Sequence, residues 1–405
     1  LKIVLVTFGS RGDVQPMMAL SLALKSAGHE VLLAAPPEKA AWAAEMKCPF
    51  RPLGGNFTAF VDSMTDAHSL HSAIRFASHM RKELKAQFDI LPAIVKGADL
   101  VVGASLAFAL STVAESMAIP YRYVAFTPQL LPSSHHPFPF MKRHGLPAWY
   151  NRMTWEAARM LDRLNLTLLV NRKRRAMGLG PIKDVWLHIL GHKVIVASDK
   201  RIAEVPPDVE VGYRQTGYLH LEQPDLHLSE LDAFLKAGPP PVYAGFGSMP
   251  ARDQASMVPL VVDAIRSAGQ RVVLGKFWDR ASESSAGRDV FFIRGYPHLK
   301  LFPRMAAVIH HGGAGTTATS AASGVPQIVI PHVLDQYYWG HRVYESRLGP
   351  KPIWRSRLSA GKLKAALDRC LGDHEIRKNA AMVSKAIHRH ESLKLTVEEL
   401  IRTAA

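Results

Sequence analysis

Cysteine is almost absent from this chain of 405 residues: Cys48 and Cys370 are far apart and lack metal-type spacing. Neither a disulfide framework nor a zinc site is expected, and a reducing cytoplasm is the simplest setting. No apolar run approaches the roughly 18–20 residues that cross a bilayer. The opening LKIVLVTFGSRGD is apolar but short and runs into glycine and charge. It reads as a first β-strand and not as a signal peptide. No Asp-x-Asp pair occurs, no Gly-Lys-Ser/Thr phosphate loop, and no G-x-G-x-x-G fingerprint. The last two absences exclude the usual nucleoside-triphosphate and dinucleotide sites. Carboxylates are also short: 34 Asp and Glu face 50 Lys and Arg, a net charge of +16. That excess favours a nucleotide diphosphate, a membrane surface or a nucleic acid, or serves solubility alone. No basic-aromatic module accompanies it, so nucleic acid is not expected as a partner. The densest run, Arg172-Lys173-Arg174-Arg175, sits where a helix should end. It is either a solvated helix end or a contact for anionic lipid headgroups.

Apolar residues make up 48% of the chain, too many for a disordered one. Its length predicts two or three domains at roughly 100–200 residues each. Short apolar runs alternate with helical patterns: strands at Lys2–Phe8, Glu30–Ala35, Leu100–Ala104, Tyr121–Ala125 and Lys193–Ala197, with a helix over Val14–Ala27. A second series follows: strands at Pro241–Phe246, Arg271–Gly275, Val290–Ile293, Ala306–His310 and Gln327–Ile330, with helices over Asp253–Ala268 and Thr316–Ser323. Continuous apolar strands between helices argue for parallel sheets covered on both faces. The fold class is α/β, with two Rossmann-like domains across a cleft. The expected divisions are 1–215, 216–385, and a terminal helix 386–405 returning to the first domain. A proline-rich stretch, Pro128 to Pro147, reads as a long functional loop.

The strongest motif is AAVIHHGGAGTT, Ala306 to Thr317. A strand runs into a glycine-rich turn and then a helix. Unpaired N–H groups and the positive end of the helix dipole converge there. Such a place suits a diphosphate, and glycine lets the backbone approach it closely. Thr316 and Thr317 offer hydroxyl donors, and His311 offers another. A tight turn without a ligand is the alternative. The second motif, PHVLDQYYWG, follows the strand at Gln327–Ile330. Ligands of open parallel sheets lie beyond the carboxyl ends of strands, so Asp335 and Gln336 are expected beside the phosphate loop. A carboxylate next to a carboxamide both accepts from and donates to sugar hydroxyls. Asp335 also suits a helix N-cap, and both roles can hold. The third motif is FGSRGDVQP, Phe8 to Pro16. Asp13 is placed to take a proton from an attacking hydroxyl, or to cap the first helix. Arg11 pairs with a donor phosphate or with Asp13.

GSRGDVQP, PPVYAGFGSMP, LFPRMAAVIHHGGAGTT and GVPQIVIPHVLDQYYWG together resemble the UDP-glycosyltransferase family of the GT-B fold. Sterol glucosyltransferases of bacteria and fungi, and the glycosyltransferases of glycopeptide-antibiotic synthesis, look nearest. The likeness runs from Pro241 to Pro350 and over the opening motif, and leaves the acceptor region unmatched. It implies Asp13 as general base, with Ser10 and Arg11 near the donor diphosphate. It implies Ser248 on the donor phosphates, and His311, Gly313, Gly315 and Thr316 holding the diphosphate. Asp335 and Gln336 then bind the transferred sugar. The nucleobase lies on the loop Gly295 to Leu299, which contains His298. Trp278 either stacks nearby or belongs to the core. Plant-type members carry HCGWNS where this chain has His311 to Thr316, so their donor rules do not transfer. Ala321 to Gly324 and His332 also depart from close relatives, which leaves the sugar's identity open.

The resemblance implies an inverting transfer of a sugar, glucose first, from a UDP- or dTDP-sugar cosubstrate to a hydroxyl of a lipophilic acceptor such as a sterol. An antibiotic or other secondary-metabolite aglycone is the alternative acceptor. No cofactor and no metal are expected, because backbone N–H groups replace the cation that an Asp-x-Asp pair would hold. The partners are then the nucleotide sugar, the acceptor and, peripherally, a membrane. Trp149, Tyr150 and Trp155 line an apolar acceptor pocket or pack as ordinary helix residues. A nucleotide-sugar 2-epimerase and a non-catalytic nucleotide-sugar-binding helper are the readings of another class. Asp13, His311 and the Asp335-Gln336 pair together favour the transferase.

Overall fold

The computed structural model describes residues 1–63, 70–224, 226, 228–247, 251–275 and 287–404. Two parallel sheets organise them. The first contains β1 (Lys2–Phe8), β2 (Glu30–Ala35), β3 (Phe50–Pro52), β4 (Leu100–Ser105), β5 (Tyr121–Ala125), β6 (Lys193–Val196) and β7 (Gly212–Gln215), in the order β3-β2-β1-β4-β5-β6-β7. The second contains β8 (Val242–Gly245), β9 (Val272–Leu274), β10 (Val290–Phe292), β11 (Ala307–His310) and β12 (Gln327–Val329), in the order β10-β9-β8-β11-β12. Each sheet reverses its direction of growth once, between β1 and β4 and between β8 and β11. Such switch points open a crevice beyond the strand ends.

The strands are apolar on both faces because helices cover both. Ile3 and Leu5 join one core with Leu20 and Leu24 of α1 (Arg11–Ser26). Val4 and Val6 join the other with Leu84, Phe88 and Leu91 of α4 (Leu70–Val95) and Val113 of α5 (Leu110–Ser116). Between β2 and α4 lie α2 (Ala40–Glu45) and α3 (Phe57–Asp62). After the proline-rich loop come α6 (Ala148–Leu164), α7 (Leu166–Ala176) and α8 (Val185–Leu190). The second sheet is flanked by α9 (Ser229–Lys236), α10 (Ala251–Ser267), α11 (His298–Leu301), α12 (Ala314–Ala322), α13 (Gln336–Glu345), α14 (Ala360–Gly372) and α15 (His374–Ala386). The last helix, α16 (Arg389–Ala404), inserts Val397 and Leu400 into the α1 core of the first sheet. Burial of such side chains contributes roughly 1.5–3 kcal/mol each.

Two strands have no counterpart in the apolar rhythm. β7, Gly-Tyr-Arg-Gln, is a largely exposed edge strand, and β3 is an edge strand of three residues. An edge strand lacks the two covered faces that make a run continuously apolar. The first helix begins at Arg11 and not at Val14, because Ser10 caps it.

The two halves touch beyond the linker. Arg342 Nε donates to the Ile202 carbonyl at 3.0 Å, and Ser346 Oγ donates to the same carbonyl at 3.1 Å. Thr396 Oγ1 on α16 donates to Thr216 Oγ1 at 2.8 Å, which fastens the last helix to the end of the first sheet. Ring contacts join His136 to Tyr338 at 5.9 Å and His144 to His341 at 5.6 Å.

Candidate active site

β1 ends at Phe8 and the chain turns at Gly9, where φ is +152°. A side chain there would lie 2.4 Å from Asp13 Oδ2, so glycine is required. Ser10 is the N-cap of α1, and Asp13 is its third residue. Together they form a capping box. Asp13 Oδ2 accepts from Ser10 N–H at 2.7 Å and from Ser10 Oγ at 2.9 Å. The other oxygen, Oδ1, accepts from Ser105 Oγ at 2.7 Å. Ser105 ends β4 directly beside Phe8 and adopts φ +54°. Burial pushes the Asp13 carboxyl up, while the Ser105 and Ser10 hydrogen bonds and the Lys39 charge pull it back toward the ionised form. Three of about four acceptor directions are taken, which leaves one for an incoming proton. Capping and a general-base geometry thus coexist in one side chain.

Arg11 does not pair with Asp13. Its guanidinium lies 4.6 Å from the Trp42 ring centroid, and Nε donates to Gln15 Oε1 at 3.3 Å. Burial lowers its pKa, and Glu45 and Tyr243 oppose that effect, so this side chain reaches toward the second sheet.

Across the cleft, β11 leads into the glycine-rich turn. His310 is fully buried. Gly312 N–H donates to its Nδ1 at 3.0 Å, which leaves Nε2 to donate to Gln327 Oε1 at 3.0 Å. Gly312 N–H is therefore engaged and faces no ligand. Among the described residues, the N–H groups of Ala314, Gly315 and Thr316 have no partner; they precede the first bond of α12, from Thr317 N–H to the Gly313 carbonyl at 3.0 Å. Thr317 is a correction: its hydroxyl donates to the same carbonyl at 3.0 Å and its side chain is fully buried. Thr316, the residue before it, is only half-buried. The His311 ring lies between Gly247 and Gly313, where side chains would sit 2.6 and 2.5 Å from it. Burial lowers its pKa to about 4, so it is neutral, and its buried Nδ1 has no partner among the described residues. Gly315 makes room for Tyr218, whose hydroxyl would lie 2.6 Å from an added Cβ. Ser248 and Trp278 lie outside the described residues.

Asp335 occupies the N-cap position of α13, but its side chain makes no capping bond; Oδ2 accepts from Trp339 Nε1 at 3.1 Å instead. Burial first, and the Asp13 charge second, raise its pKa to about 7. The Asp13 carboxylate is thus close enough to Asp335 for its charge to act on it. Gln336 Oε1 accepts from His332 N–H at 2.8 Å and Val333 N–H at 3.1 Å. Its carbonyl end is engaged, so only its NH2 group can meet a sugar. His298 opens α11, stacks on Phe302 at 4.5 Å, and bonds Tyr243 Oη through Nε2 at 3.1 Å. Burial lowers its pKa to about 4, with Arg11 and His311 adding to the effect.

No sequence motif marks Ser105 or Tyr218. Ser105 is legible only as the residue ending the strand beside β1. Tyr218 lies in the linker, where no motif marks it, yet the charges of Asp13 and Asp335 both act on its hydroxyl. Trp155 is a core residue, edge-on to Phe138 at 5.1 Å, and Trp149 faces outward, so these two do not line one pocket. The proline-rich loop is anchored: Ser133 Oγ donates to Asp208 Oδ1 at 2.6 Å, and Asn151 Nδ2 donates to the Ser134 carbonyl at 2.8 Å. The basic run also divides, because Arg174 turns inward to a bidentate pair with Glu115 at 2.6 and 2.8 Å.

Comparison with known proteins identifies the family and the fold. The N-terminal domain model of glycosyltransferase family 28 matches residues 3–134. The C-terminal domain model of the erythromycin biosynthesis protein CIII-like family matches residues 288–390. Vancomycin aglycone glucosyltransferase of Amycolatopsis orientalis is 36% identical over 86% of this chain and 85% of its own length. Sterol 3-beta-glucosyltransferase UGT80B1 of Arabidopsis thaliana is 28% identical over 99% of this chain and 68% of its own. The glycosyltransferase VinC, solved in complex with dTDP, superposes with a TM-score of 0.73 at 20% identity, covering 100% of this chain and 99% of that one. From its domain models, its kinship and its two facing parallel sheets, the chain belongs to the family 28, EryCIII-like glycosyltransferases of the GT-B fold.

Proposed function

We propose that this glycosyltransferase moves glucose from a UDP- or dTDP-activated donor to a hydroxyl of a lipophilic acceptor such as a sterol, with inversion and without a metal or other cofactor. The observation that carries it is the Asp13 carboxylate, held by Ser10 and Ser105 with one acceptor direction left, whose charge acts on Asp335 of the second half. The donor diphosphate lies at the N–H groups of Ala314, Gly315 and Thr316, with His311 and Arg11 beside it and Ser248 as a further contact. His298 marks the nucleobase end. Asp335 and the Gln336 NH2 group hold the sugar.

The acceptor oxygen attacks the anomeric carbon as its proton passes to Asp13. The bond from that carbon to the diphosphate breaks, and its electron pair goes to the leaving phosphate oxygen. The helix start stabilises the growing charge in place of a cation. One displacement inverts the anomeric centre. A cytoplasmic setting with peripheral membrane contact suits such an acceptor. A secondary-metabolite aglycone is the second reading, favoured by the higher identity to the vancomycin aglycone enzyme.

Calorimetry with UDP- and dTDP-sugars, then product analysis by NMR, tests this. Donor binding and a β-linked product from an α-linked donor are expected. Asp13→Asn should keep donor affinity and lose about 10²–10⁴-fold in turnover. Full turnover in that variant would remove Asp13 from the mechanism.

A further inference from the structure

α6 presents an unpartnered apolar face. Trp149, Met153, Met160 and Leu164 recur at helical spacing along one side and are 62%, 56%, 68% and 67% exposed. Its opposite side is buried through Asn151, Trp155 and Ala158. The exposed row continues into α7 through Leu168, which shares its face with Arg172 and Arg175. Arg152 and Arg163 edge the row on α6, both exposed. From Ala148 to Ala176 the two helices carry seven cations and two carboxylates, Glu156 and Asp162. Glu156 lies on this face, one turn after Arg152, and pairs with Arg159, while Asp162 accepts from Trp186 Nε1. Arg159, Lys173 and Arg174 also pair with Asp184, Asp89 and Glu115, so the cationic rim consists of Arg152, Arg163, Arg172 and Arg175.

We infer that α6 and the outer face of α7 form a docking surface for an anionic lipid bilayer, lying in the interface plane. Apolar side chains on one face of a helix, with Arg at its edges and Trp at its start, match the requirements of interfacial binding. Anionic headgroups complete the charge of the rim. A second copy does not, because a symmetric pair would set this cationic rim against itself. Helix α6 follows directly on the anchored proline-rich loop, so docking would bring the first domain to the surface from which a lipophilic acceptor comes. The inference rests on the proposed membrane contact and gives it a site.

The test uses the full chain with vesicles of phosphatidylcholine alone or mixed with phosphatidylglycerol. Cosedimentation with the mixed vesicles is expected, together with a blue shift in tryptophan emission that Trp149→Phe removes. The triple variant Met153→Ser, Met160→Ser, Leu164→Ser should weaken vesicle binding by about tenfold or more. Its melting temperature and its turnover of a water-soluble acceptor should be unchanged. Vesicle binding that ignores the triple variant would overturn the proposal. So would a dimer in analytical ultracentrifugation that the triple variant dissolves, since the face would then be a self-association surface. Absence of vesicle binding with intact turnover would overturn the docking surface and leave the catalytic reading standing.

Discussion

Ser105 Oγ donates to Asp13 Oδ1 at 2.7 Å, from the end of the strand that pairs with β1. The two residues are 92 positions apart, and the parallel pairing of β1 and β4 alone brings them together. The bond favours the ionised carboxylate that burial disfavours.

Ser105→Ala removes that bond and moves the Asp13 pKa further up. The acidic limb of the kcat/KM profile should shift to higher pH, and kcat at neutral pH should fall about tenfold. Ser105→Asn, a residue that tolerates this left-handed backbone and keeps a donor, should restore part of both. An unmoved acidic limb would mean that Ser105 does not tune the base.

Asp335 has a folded-state pKa raised to about 7. Between its ordinary range near 4 and pH 7 the folded protein holds a proton that the unfolded chain has released. Stability contributed by this group is therefore full below that window and lost as pH rises through it. Asp335→Asn should gain in melting temperature relative to the parent as pH increases from 4 to 7. Parallel melting curves across that range would contradict the assignment.

The adjacent threonines of α12 separate binding from folding. Thr317→Val loses a buried bond to the Gly313 carbonyl and should cost about 1 kcal/mol of stability. Thr316→Val should leave the melting temperature alone and raise the donor KM by about tenfold. Denaturant unfolding and donor titration, run on both variants, read the two effects separately.

The start of α12 offers free N–H donors where a diphosphate would lie, so turnover should survive excess chelator. Loss of activity that magnesium or manganese restores would show that the amides do not suffice.

Much of this site was legible because its motifs are local. Apolar strands ending in Phe8-Gly9-Ser10 and His310-His311-Gly312 announce where helices start. Strand-end placement then predicts that Asp13, the α12 turn and Asp335 share a crevice. The finer assignments were not legible. Thr316 and Thr317 look equivalent in sequence, and the helical rotation that buries one and frees the other depends on packing against β11 and β12. Gln336 reads as a two-ended sugar contact until the preceding loop folds back onto its carbonyl oxygen. The run Arg172 to Arg175 reads as one patch until Glu115, from a different helix, draws Arg174 inside.

Alternation of apolar runs with capped helices was sufficient to determine the layers, the parallel sheets and the positions of the glycine turns, since each depends on interactions within a few residues. Strand order and the packing of the two halves decided the partners of the candidate site: Ser105 on Asp13, Tyr218 beside Gly315, and α16 on the first core. Those contacts join residues tens to hundreds of positions apart, and their distances exist only once both sheets have packed.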